Sequence, residues 1–198
     1  MRLLFLFLFL LPLLLLAACA GGNPRQAATY DLGVATPVWK PAEPAIAGVS
    51  AQGPAWLSSP AIAYRLLYAG EMERHVYADS RWAAPPAELI ERALNRQPSS
   101  AEGGCRLRLD IDELIQVFET PQSSRTLLDV RASLFAPGGE AVLARRAFSV
   151  ARPAPSADAR GGVIAAAAAV RELGAELNSW LAQTARSRPA VAQRCNGR

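Results

Sequence analysis

The sequence predicts an α/β fold, a single domain with a mixed β-sheet and two main helices packed against it. Three observations lead there. Between Cys105 and Ile111 apolar residues (Cys105, Leu107, Leu109, Ile111) alternate with Arg106, Arg108 and Asp110, the period of a strand with one buried face. Two pairs of strand-like segments are joined by turn residues, at Ala69-Gly70-Glu71 and at Pro137-Gly138-Gly139, which marks two hairpins. Finally, Val163, Ala167, Val170, Gly174, Leu177 and Leu181 recur every three or four positions, as they do on one face of a helix.

The chain opens with Arg2 and an apolar run from Leu3 to Leu16, interrupted by Pro12. A spanning helix needs about 20 apolar residues, so this run suits the core of an export signal. It ends in Leu16-Ala17-Ala18-Cys19, which resembles the lipobox of bacterial lipoprotein signals. That resemblance implies a diacylglyceryl group on the Cys19 thiol, cleavage before Cys19, and acylation of the new amino group. Two other readings, an uncleaved anchor helix and a secretory signal cut after Ala18, predict different masses for the extracted protein. Several acyl chains on one residue make a stable anchor, where one alone binds only marginally. Ala20 stands where an aspartate tends to retain lipoproteins in the inner membrane, so the outer membrane is favoured. Residues 1–18 are thus expected as signal peptide, 19–28 as lipidated tether, 29–185 as the domain and 186–198 as an arginine-rich tail.

Within the domain, Tyr30 to Gly33 reads as a brief first strand and Ile46 to Val49 as a second, with proline-rich chain around them. Pro54 to Leu57 is expected as a loop whose Trp56 caps the core. Ile62, Tyr64, Leu66 and Tyr68 alternate as one strand of the first hairpin, and residues near His75 to Ala78 form the other. Asp79 to Pro86 then leads into a helix that runs to about Arg96, with Pro86 in its first turn and Leu89, Ile90, Ala93 and Leu94 facing inward. After a loop from Gln97 to Gly104 comes the strand from Cys105, whose alternation is expected to continue through Ile115 and Val117. Leu128 to Leu134 and Val142 to Val150 make the second hairpin, and the last helix covers roughly residues 158–185.

Composition excludes several functions. Of 21 basic residues only Lys40 is a lysine, a bias that fits a GC-rich genome better than a binding code. The net charge of +4 includes Arg2, so the chain from Cys19 carries about +3, a mild excess. An exported protein has no nucleic acid to meet. His75 is the one histidine, which rules out a metal site built on several imidazoles, and neither G-x-S-x-G nor G-x-x-x-x-G-K-[ST] occurs. Catalysis is therefore not expected, and no cofactor is implied. Asp110, Asp112 and Glu113 share their strand face with arginines, so they read as a solvated face and not as a catalytic pair. With Cys19 lipidated, Cys105 and Cys195 remain, and an oxidising periplasm favours a bridge between them if their Cα atoms come within about 4.4–6.8 Å.

Taken in order, Tyr30-Asp31-Leu32-Gly33, Pro54 to Leu57, Ile62 to Arg65, Tyr77 to Pro86 running into Leu89, Asp110 to Glu119 and the alanine-rich last helix resemble the ABC-type transport auxiliary lipoprotein family. The proline-rich stretch between Thr36 and Pro54 and the Cys105/Cys195 pair depart from that pattern. The resemblance implies a non-catalytic subunit on the periplasmic face of the outer membrane. It would dock a mammalian-cell-entry type substrate-binding protein that works with an ABC permease and an ATPase, and it could assemble as a homo-oligomer. The implied cargo is lipid or another hydrophobic molecule. The competing function with the same anchor is an outer-membrane assembly factor for lipopolysaccharide or secretion machinery. Trp56, Arg81 and Trp82 are the candidate partner contacts, since large aromatics often anchor interfaces, although the residue pattern favours core packing for both tryptophans.

Overall fold

The computed structural model describes residues 26–33, 39, 43–96 and 103–197. In chain order they form β1 (Ala28–Tyr30), β2 (Ile46–Gln52), a 3-10 turn (Ala55–Leu57), β3 (Ala61–Leu66), β4 (Gly70–Trp82), α1 (Pro86–Leu94), β5 (Cys105–Thr120), β6 (Ser123–Phe135), β7 (Val142–Pro153), α2 (Ala159–Ser187) and α3 (Pro189–Cys195). The described strands join one mixed sheet in the order β1-β4-β3-β5-β6-β7, with β2 also paired to β5. β1 runs parallel to β4, and both β2 and β3 run parallel to β5.

β5 is the spine of this sheet. Its first half pairs with β2, from Ile46 opposite Cys105 to Gln52 opposite Asp110, and its second half pairs with β3, from Tyr64 opposite Gln116 to Leu66 opposite Phe118. Two strands therefore lie end to end along one margin of a third. Cys105, Leu107, Leu109 and Ile111 are at most 1% exposed, as the alternation requires. The alternation does not continue in phase, however. A register shift between Ile111 and Glu113 inserts one extra residue and reverses the parity of the strand. Beyond it Leu114 faces the main core opposite Leu128, while Ile115 and Val117 turn to the other side and form a small second cluster with Ala63, covered by Leu127.

The main core lies between the opposite face of the sheet and the helices. Leu128, Val130, Ala132 and Leu134 of β6 meet Ala166, Ala169, Val170, Leu173, Leu177 and Leu181 of α2 in one continuous cluster. Trp180 meets Phe148 of β7 edge-on, ring centroids 5.8 Å apart. α1 begins with Pro86 as expected but ends at Leu94, because the next side chain leaves the helix to serve β2. Asn95 Oδ1 accepts the Val49 N–H at 3.1 Å and Nδ2 donates to the Val49 carbonyl at 2.6 Å, while Glu91 accepts the Ala51 N–H at 2.8 Å. These bonds satisfy the backbone of β2 on the side away from β5, which would otherwise stand open.

The first turn of α2 is fastened to the sheet by a buried polar knot. Gln116, 2% exposed, accepts the Tyr77 hydroxyl at 2.9 Å and donates to Ser124 Oγ at 2.8 Å and to the Asp158 carbonyl at 3.1 Å. Thr126 Oγ1 donates to the Gly162 carbonyl at 2.9 Å. Burial, reinforced by the neighbouring Tyr64 and Asp158, pushes the Tyr77 phenol above its ordinary range, so it stays protonated and remains a donor. Gly162 lies against the Gln116 carboxamide so closely that a Cβ would overlap it. Gly162→Ala is therefore expected to lower stability by about 1–3 kcal/mol in urea unfolding, as overpacking does in a filled core.

Asp158 caps the same helix. Its Oδ1 accepts the Gly161 N–H at 2.7 Å and the Ser156 hydroxyl at 2.8 Å. These two donors, Gly161 first, hold the carboxyl below the usual aspartate range. Asp158→Ala is expected to cost about 1 kcal/mol. A depressed carboxyl contributes fully above the unfolded value of about 3.9 and loses that contribution as pH falls through its lower folded value. Urea unfolding of the two proteins should thus differ at neutral pH and converge as the pH is taken well below the ordinary aspartate range.

Other boundaries differ from the sequence reading. β1 lies at Ala28–Tyr30, two residues earlier than expected, and β4 extends through the stretch read as a loop, up to Trp82. Residues 186–197 are an extension of α2 followed by α3, not a loose tail. α3 is held down by buried Val191, by the Cys105–Cys195 bridge with its Cα atoms 4.7 Å apart, and by Asn196 Oδ1 accepting the Ala45 N–H at 3.1 Å. Cys19, with the signal and most of the tether, lies outside the described residues.

Candidate functional site

The three candidate contact residues part company in the structure. Trp82 closes β4 and is 4% exposed, where it lines a small gap with Ile62, Leu114 and Ala166. Its ring is part of the core and offers nothing to a partner. Arg81, the preceding residue on the strand, is exposed and its Nε donates to Thr29 Oγ1 at 3.3 Å, stitching β4 to β1. Trp56 is 60% exposed, contrary to the expectation that it caps the core. The 3-10 turn explains the exchange: it directs the next residue, Leu57, inward at 3% exposure, and the indole outward. No bond joins Trp56 to Arg81 or Trp82, so the three do not form one site.

The face of β5, β6 and β7 turned away from the helices is charged and corrugated. Two neighbouring open clefts share Arg108 and Arg145, one walled by Ser50, Arg106 and Phe135, the other by Asp110, Arg131 and Ser133. Part of this charge is internally matched. Arg131 grips Asp112 with two bonds of 2.7 Å, Gln52 donates to Asp110, and Arg106 donates to the Gly139 carbonyl at 2.8 Å. Arg108 lies over the Phe135 ring at 4.9 Å with Asp110 3.7 Å from its Nε. The Arg131 guanidinium, through that paired bond, holds the Asp112 carboxyl below the usual range. Asp110 and Asp112 are thus partners of arginine on a wet strand face, as their alternation suggests.

Glu113 sits where the strand changes phase and is gripped from β4 by Arg74, at 2.7 and 2.8 Å, with Arg65 at 3.8 Å. His75 stacks on Tyr64, centroids 5.1 Å apart, and its Nε2 lies 3.5 Å from Glu73. Among the described residues no group of three His, Cys, Asp or Glu side chains is placed to hold a metal ion, and no helix is long and apolar enough to cross a membrane. What sequence reasoning missed is the tip of the β3–β4 hairpin, where Leu67, Tyr68 and Met72 are 41%, 49% and 86% exposed. The one sequence signal for it was apolar residues placed directly beside a turn.

The architecture is shared with a DUF330-family protein from Xanthomonas campestris, 24% identical, which superposes with a TM-score of 0.65 over 82% of this chain and 99% of that one. A second, uncharacterised protein of 12% identity superposes at 0.59 over 78% and 98% of the two chains. No protein of curated function matches the sequence. The chain therefore shares its fold with these two proteins. The family model for the ABC-type transport auxiliary lipoprotein component matches residues 34–178, and the chain belongs to that family. It is accordingly a lipoprotein and an auxiliary component of an ABC-type transport system.

Proposed function

We propose that this chain is acylated at Cys19, held on the periplasmic face of the outer membrane, and serves there as the docking subunit for a periplasm-spanning mammalian-cell-entry type protein. The permease and the ATPase of the same system would supply the energy for moving lipid or another hydrophobic molecule. The observation that carries this reading is the family match across residues 34–178, preceded by a lipobox-like Leu16-Ala17-Ala18-Cys19. The fold supports it: a broad sheet locked by helices on one side presents a rigid surface, with Arg81 exposed on β4 and Trp56 exposed on the 3-10 turn between β2 and β3.

Affinity capture of the full chain from crosslinked envelopes, read by mass spectrometry, tests the docking. Recovery of a mammalian-cell-entry type protein with its permease and ATPase is the expected result. Repeated recovery of β-barrel assembly or secretion components without them would replace this function with that of an assembly factor. Intact mass of the extracted chain tests the anchor, and Cys19→Ser should move the protein from the membrane fraction to the soluble one.

A further inference from the structure

We infer that the tip of the β3–β4 hairpin, formed by Leu67, Tyr68 and Met72, rests in the headgroup layer of the bilayer that holds the chain's own acyl anchor. This rests on the proposed acylation at Cys19. Among the described residues seven large hydrophobic side chains are left exposed, and Leu67, Tyr68, Met72 and Val76 of this one hairpin make up four of them. Such a concentration on a single hairpin marks a contact surface.

The direction of the chain selects the occupant. β1 runs parallel to β4 with Ala28 opposite Ser80, so the polypeptide arriving at Ala28 comes from the side of the sheet on which the tip lies. From Ser80 back to Gly70, the first residue of β4, is ten residues, but β4 bulges twice against β3, which covers the stretch from Arg81 to Gly70 with Ala61 to Leu66 alone, a rise of about 17 Å at about 3.3 Å each. From Ala28 back to Cys19 is nine residues, a reach of at most about 30–32 Å even at full extension. The segment from Cys19 to Ala28 is consequently longer than the distance to the tip, so an anchor on the tip's side of the sheet has enough chain to bring the bilayer against it.

Chemistry fits the boundary of a membrane better than a charged partner. Tyr68 has the amphipathic ring that favours the interface, and Leu67 and Met72 supply apolar surface beside it. The cations nearby are engaged: Arg65 donates to the Glu71 carbonyl at 3.0 Å and Arg74 pairs with Glu113. Glu71 and Glu73 flank the tip, with His75 beside Glu73, so attraction to anionic headgroups contributes little and apolar contact dominates. The tip orients the domain, and the acyl chains retain it.

The test uses the acylated full chain carrying a benzophenone amino acid at position 72, or at position 56 for comparison, in vesicles of phosphatidylethanolamine and phosphatidylglycerol. Illumination should give phospholipid adducts at position 72 at least five times more often than at position 56, and the yield should persist when phosphatidylglycerol is left out. Equal yields at the two positions, or crosslinks from position 72 to protein instead of lipid in whole cells, would overturn the inference. A chain that proves to carry no acyl mass on Cys19 removes the anchoring proposal and this inference together. An acylated chain without lipid adducts at position 72 removes this inference alone.

Discussion

Replacing Cys105 and Cys195 together by alanine is expected to lower the free energy of unfolding by about 4 kcal/mol, seen as a fall in melting temperature of about 8–16 °C. The size follows from the length of chain the bridge closes. The two cysteines are 90 residues apart, and closing so long a loop removes much of the freedom of the unfolded chain. Both residues are buried, Cys105 at 0% and Cys195 at 1% exposure, so the loss is felt in the folded state as well. Cys105 opens the central strand and Cys195 ends the last helix, which makes the bridge the covalent link between the sheet and the end of the chain. Calorimetry of the oxidised protein, of the reduced protein and of the double variant is the measurement. The reduced protein and the variant should melt close together and well below the oxidised one.

Trp82→Ala carries the second large effect, a loss of about 3–5 kcal/mol in urea unfolding, as expected for a buried aromatic reduced to a methyl group. Trp56→Ala should stay within about 0.5 kcal/mol of the parent, because its ring is in solvent. The pair separates two roles that sequence alone assigns alike. A stable Trp82→Ala protein would mean that the indole is not part of the core.

The difference between those tryptophans shows where sequence reasoning reaches its limit. The burial of Cys105, Leu107, Leu109 and Ile111 was legible because a strand with one wet face writes its environment into every second residue. The reversal at Asp112 was not, because a bulge leaves no mark of its own among apolar residues on both sides. β4 was read too short for another reason. Along Gly70–Trp82 nearly every residue is exposed or half-exposed, so the strand has no hydrophobic period; it is held by backbone pairing to β3 and β1. β6 begins earlier than its apolar residues suggest because Ser124 and Thr126 are buried polar residues, satisfied by Gln116 and by the backbone of α2.

The candidate contacts were legible to a similar degree. Arg81, named in the sequence only as a candidate contact, is exposed, while the fates of the two tryptophans depended on a turn of three residues and on a strand end that only the fold defines. The hairpin tip escaped notice because Leu67 and Tyr68 looked like the continuation of an alternating strand. That strand stops at Leu66, and the residues beyond it turn out into solvent.

β7 lies at the end of the strand order, with β6 its only strand partner among the described residues. Along its 12 residues it carries Arg145, Arg146 and Arg152 and closes with Pro153, while Arg188 at the corner between α2 and α3 donates to the Leu143 carbonyl at 3.3 Å. Repelling charges, a residue unable to donate from its backbone and an occupied carbonyl all oppose the addition of a foreign strand. The chain is thereby guarded against sticking to its own copies along that border, and neutral replacements at Arg145 and Arg146 would leave the border open to aggregation.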